Sequence, residues 1–149
     1  MYVKDAIDQV DALEPNQYSK QEKTEWLHQL DGRIAAEIIL NYEHDSADGN
    51  KFDINTWWQN GSYPQELHFY VDYMKFGSRS TADHDGYLLA APAPFDRMYV
   101  LWLKAQIQFS NAEYGRYNNT ISVFESEFSA YRNWYNRNHT PLNTSITYF

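Results

Sequence analysis

The chain has 149 residues, enough for one domain with a hydrophobic core, and no cysteine, which excludes disulfides and thiolate chemistry. Its formal charge of −8 and pI near 4.9 argue against a protein that wraps nucleic-acid phosphates. No run approaches membrane-spanning length, and the opening MYVKDAIDQVDALEP holds no apolar signal core, so synthesis and action in a cytoplasm are expected. Aromatic residues make up 17% of the chain, which fits either an aromatic core or surfaces that are part dry and part wet.

In chain order, Val3, Ala6, Ile7, Val10 and Leu13 form a short helical face that stops at Glu14-Pro15-Asn16, a turn signal. Ser19-Lys20-Gln21-Glu22 is a capping box that opens a second helix, with Tyr18 placed to staple onto Lys23 or Trp26. Its inward residues are Trp26, Leu27, Leu30, Ile34, Ile38 and Ile39, and it should end near Tyr42. Gly32, inside this helix, costs about 1 kcal/mol relative to Ala and implies close approach of another backbone.

Residues 44–91 read differently. Trp57 and Trp58 lie between turn signals. Leu67, Phe69, Val71 and Tyr73 alternate with His68, Tyr70, Asp72 and Met74, the period of a strand and half of a small hairpin. This stretch is expected to be a loop and short-β excursion inserted between the second and third predicted helices, and such long insertions are usually functional.

Pro92-Ala93-Pro94 then launches the dominant pattern, with Pro94 near a first helical position and Asp96 in the first turn. Val100, Leu103, Ile107, Tyr114, Tyr117, Ile121, Phe124, Phe128, Tyr131 and Tyr135 fall on one helical stripe. Gly115 with Asn118 or Asn119 fits a helical hairpin, whereas the unbroken three-four spacing fits one bent helix. Pro141 ends the helix and leaves the tail LNTSITYF, in which Ile146, Tyr148 and Phe149 are apolar. The expected fold class is therefore mainly all-α: a small helical bundle forming a single domain over 1–149. Its helical core is 3–43 and 92–140, its excursion 44–91, and its tail 141–149.

Chemistry-bearing patterns are sparse. His44, Asp45 and Asp48, and Asp83-His84-Asp85, lack zinc spacing. The run from Asp45 to Asn50 resembles a calcium loop but has Thr56 where the bidentate acid belongs. There is no GxSxG elbow, phosphate-cradling Gly loop or dinucleotide fingerprint. No catalytic residue, cofactor or metal is expected, and binding surfaces remain. Trp57, Trp58, Leu67, Phe69, Val71, Tyr73, Ile146, Tyr148 and Phe149 are the candidate protein-interface residues.

Several pieces carry a resemblance when taken in order: Trp26-Leu27, Leu30-Asp31-Gly32-Arg33-Ile34, Pro92-Ala93-Pro94-Phe95-Asp96, Tyr114 to Asn119, and Tyr135 to Pro141. Over about residues 3–43 and 92–141 the chain resembles the head–tail connector (head-completion adaptor) proteins of tailed bacteriophages and prophages of Gram-positive hosts. The resemblance implies a non-enzymatic virion protein of the phage neck. It would form a homo-oligomeric ring beneath the portal protein and receive a stopper or tail-completion protein. DNA would pass through the lumen without sequence-specific binding, and no membrane would be involved. The alternatives are a stopper or tail-completion protein itself, a soluble regulatory or binding protein of a mobile element, and a small hydrolase using His44 or His84.

Overall fold

The computed structural model describes residues 1–42, 63–76 and 84–141. These residues form helices α1 (Val3–Leu13), α2 (Lys20–Glu37), α3 (His68–Phe76), α4 (Arg97–Ser110) and α5 (Tyr114–Asn138). Short 3₁₀ turns at Ile39–Asn41 and Gln65–Leu67 flank the region after α2 and before α3. The domain is mainly helical and contains no named strand among the described residues, only isolated antiparallel bridges pairing Tyr2 with Leu88 and Tyr42 with Pro141.

The α2 start is built as its sequence requires. The Ser19 hydroxyl accepts from the Glu22 N–H at 3.1 Å, the Glu22 carboxylate reaches back to the Ser19 N–H, and the Tyr18 ring meets Trp26 edge-on at 5.4 Å. Leu27, Leu30, Ile34, Ile38 and Ile39 are wholly buried. The α-helical bonding stops at Glu37 rather than near Tyr42, and the 3₁₀ turn carries the chain on. In α1, Val3, Ala6, Ile7 and Val10 are buried, but Leu13 is 64% exposed because the helix ends there, beyond its apolar stripe.

The long aromatic pattern resolves into a hairpin. The chain reverses at Asn111-Ala112-Glu113, where Ala112 takes a left-handed φ of 59°. Gly115, Asn118 and Asn119 lie within α5 and neither cap nor break it. Backbone bonds close the turn: Asn111 N–H to the Ile107 carbonyl, Ala112 N–H to Phe109 and Glu113 N–H to Gln108. From α4 the hairpin buries Val100, Leu103 and Ile107, and from α5 Phe124, Phe128, Tyr131 and Tyr135. Each such side chain contributes about 1.5–3 kcal/mol of burial free energy. Helices α1 and α2 cover it, and α4 starts at Arg97, with Pro94 in the preceding turn.

The expected strand at Leu67–Tyr73 is instead the end of a 3₁₀ turn followed by α3. Alternation over so few residues also describes two overlapping i,i+4 pairs, Leu67 with Val71 and Phe69 with Tyr73. All four are buried, so α3 is covered over a broad arc, which is why its polar residues did not fall on one helical face. The short-β part of the excursion is therefore not observed in the described residues. Gly32 is explained by α3 as well, though by a side chain rather than a backbone. A Cβ added there would stand 3.1 Å from Cε1 of Tyr70, whose ring stacks on His28.

Candidate interaction surfaces

Two ends of the bundle differ in chemistry. At one end the α1–α2 turn meets the α4–α5 turn. The Tyr18 hydroxyl donates to Oδ1 of Asn111 at 2.7 Å, and the buried Gln108 amide reaches Glu14 at 3.4 Å. Arg116 donates to Glu14 at 2.8 Å and to Glu113 at 2.6 Å, which holds the Glu113 carboxyl below its usual range. These bonds fix the frame of the tip and leave its aromatics outside. Phe109 is 53% and Tyr114 55% exposed, and the Phe109 ring packs edge-on against Tyr114 at 5.6 Å and Tyr117 at 5.2 Å. This end presents a clustered aromatic surface on a fixed frame, and Leu13, next to Glu14 in the chain, is exposed as well.

The opposite region is closed around a buried carboxylate. Asp31 of α2 is wholly buried; its Oδ1 accepts from the Tyr99 hydroxyl of α4 at 2.6 Å and its Oδ2 from the Ala90 N–H at 3.2 Å. The same Tyr99 oxygen accepts from the Ala91 N–H at 2.8 Å. The strap leading into α4 is thus bonded to two helices through one acid and one phenol. Burial pushes the Asp31 carboxyl up to about 7, against the pull of the Tyr99 and Ala90 bonds and the N-terminal ammonium. Burial likewise drives the Tyr99 phenol well above its ordinary value, and the neighbouring Asp31 adds to the rise.

His28 and His84 occupy an aromatic cluster rather than a polar cleft. His28 packs on Tyr70 and Tyr73, with ring centroids 5.0 and 4.6 Å away, and burial holds its pKa below the usual value against the opposing pull of Tyr70 and Glu25. His84 lies against Tyr73 at 5.1 Å and Tyr87 at 5.7 Å; both of its ring nitrogens are buried without a hydrogen-bond partner among the described residues. Among the described residues, no three His, Asp or Glu side chains converge on a possible metal position. His44, Asp45, Asp48 and Asp83 lie outside the described residues.

The candidate interface residues divide in the same way. Leu67, Phe69, Val71 and Tyr73 are brought together, but inside this chain's own core rather than on a free surface. The Tyr73 hydroxyl donates to Glu25 at 3.1 Å, and burial together with that carboxylate raises its pKa to about 12. Trp57, Trp58, Ile146, Tyr148 and Phe149 lie outside the described residues. Tyr114, counted with the helical stripe in the sequence, and Phe109 beside it are exposed aromatics of the tip. The signal that could have placed them is Asn111 followed by a short non-apolar step, which interrupts good helix formers. Compared with protein-family models, with curated proteins and with solved structures, the chain matches none.

Proposed function

We propose that this chain is a structural subunit of a tailed-phage neck, a head–tail connector that assembles as a ring beneath the portal and presents a docking surface to the next protein. The observation that carries this reading is the aromatic end of the bundle. Leu13, Phe109 and Tyr114 are large, exposed and held by a hydrogen-bonded frame, which suits a subunit whose apolar surface is completed by other proteins. Head-to-tail contacts between copies close into a ring when the rotation permits. The sequence resemblance supplies the particular assembly. The charge of −8 suits a lumen through which DNA slides without adhering.

The test is immunogold electron microscopy of particles from a bacterium induced to produce them, with antibody against this chain. Label confined to the head–tail junction is expected. Intact and denatured particles that both carry no label, with the protein abundant in the cell extract, would overturn the reading.

A further inference from the structure

We infer that α3 is an acid-sensitive latch: protonation of His28 releases it from α2 while the α4–α5 hairpin stays folded. This inference goes beyond the connector reading and does not rest on it.

The latch is built around one imidazole. The His28 ring of α2 lies among three rings of α3, with centroids 5.0 Å from Tyr70, 4.6 Å from Tyr73 and 6.2 Å from Phe69. Its Nε2 is buried and has no hydrogen-bond partner among the described residues. One turn further along α2, Gly32 leaves room for the same Tyr70 ring. One turn before it, Glu25 accepts from the Tyr73 hydroxyl at 3.1 Å. Glu25, His28 and Gly32 thus form the stripe of α2 on which α3 lies. With 9 residues α3 is too short to hold its helix alone, so its structure depends on this docking.

A charge at this place is costly. A protonated His28 would bury an Nε2–H with no acceptor. The stacked Tyr70 ring would return part of that cost. Burial holds the His28 pKa below its ordinary value, against the pulls of the Tyr70 carbonyl and Glu25. Released into water, the imidazole takes its proton near the ordinary value of about 6.5. The undocked state therefore binds more protons, so docking is fully favoured above that pH and weakens as pH falls. The other ionisable groups around the contact are Glu25, Tyr70 and Tyr73, with His84, Asp85 and Tyr87 from the strap (84–92) leading into α4. The three phenols are raised above their ordinary value and stay neutral. On α3 itself Asp72 accepts from Tyr87 at 2.6 Å and lies 3.2 Å from His68, a pair that gains attraction when His68 is charged and so opposes release. Acid also favours the Asp31 joint, whose carboxyl burial raises to about 7, so the opening is confined to α3. It would uncover Leu67, Phe69, Val71 and Tyr73.

The test is amide hydrogen exchange of the full chain at about pH 7.5 and about pH 5, corrected for the intrinsic effect of pH on exchange. The expected result is that protection of α3 falls about tenfold more than that of α5 between the two conditions. Equal changes in α3 and α5 of the unaltered chain would overturn the proposal. His28→Phe keeps a ring against Tyr70 and Tyr73 but takes no proton, so it should abolish the extra loss in α3. Persistence of that loss in His28→Phe, or in His28→Gln should the phenylalanine chain not fold, would equally overturn it.

Discussion

The tip and the strap junction use similar side chains to opposite ends. At the junction, Tyr99 is wholly buried, and its hydroxyl ties Asp31 to the Ala91 backbone. At the tip, Tyr114 stays half in water although it continues the apolar stripe, and so does Phe109, packed against it. The difference arises from where the chain turns back. Once the helix reverses at Ala112, residues near the turn have no partner helix on their outer side among the described residues, whereas Tyr131 packs against Phe95 and Tyr135 against Tyr42, its hydroxyl donating to Glu66. An aromatic stripe in a sequence therefore marks what can be buried, and the turn decides how much of it is.

Breaking the junction should have the largest effect. Asp31→Ala would strand the Ala90 N–H and the Tyr99 hydroxyl in the interior, at a cost of about 3–5 kcal/mol in unfolding free energy by urea titration. A smaller value would mean that the strap relaxes to reach water.

The same acid makes a prediction about pH. The folded-state pKa of Asp31 is raised to about 7, while an unfolded Asp titrates near 3.9. Between these values the folded chain retains a proton that the unfolded chain releases. The Asp31 contribution is fully present below about pH 4 and is lost as pH rises toward 7, by up to about 1.4 kcal/mol per pH unit. Paired surface carboxylates shift stability the other way, so the comparison is with Asp31→Asn: the stability difference between the two chains should change across that window and level off above it. A difference that is constant from pH 4 to 8 would contradict the account.

A subtler perturbation sharpens the contrast from the side of α3. Gly32→Ala gains about 1 kcal/mol of helix propensity but sets a methyl 3.1 Å from the Tyr70 ring, so its net effect should be within about 0.5 kcal/mol of zero. Gly32→Leu should displace Tyr70 from His28 and cost about 1–3 kcal/mol by thermal or urea unfolding. A tolerated leucine would show that Tyr70 is not held.

Much of this contrast was legible in the chain. The capping box at Ser19–Glu22, the buried face of α2 and both arms of the hairpin follow from residue spacing, because burial on one face imposes the helical period. Residues 67–73 did not, since a short helix covered over a broad arc and a short strand produce the same alternation. The Asp31–Tyr99–Ala91 joint was hidden for a different reason. Its members are far apart in sequence, and a buried acid has no local signature; Asp31 looked like one more polar residue on a helix. At the tip, exposure depended on a left-handed residue at Ala112, a type that rarely marks such a turn.

The smallest expected effect on stability accompanies the central claim. Phe109→Ser with Tyr114→Ser removes apolar surface that is already half in water, so the urea midpoint should stay close to that of the unaltered chain. The decisive measurement is how much of that double variant enters gradient-purified particles, read by immunoblot beside the unaltered chain. The account predicts a normally folded protein that is missing from particles. Incorporation at the unaltered level would contradict the claim that this end of the bundle is a docking surface.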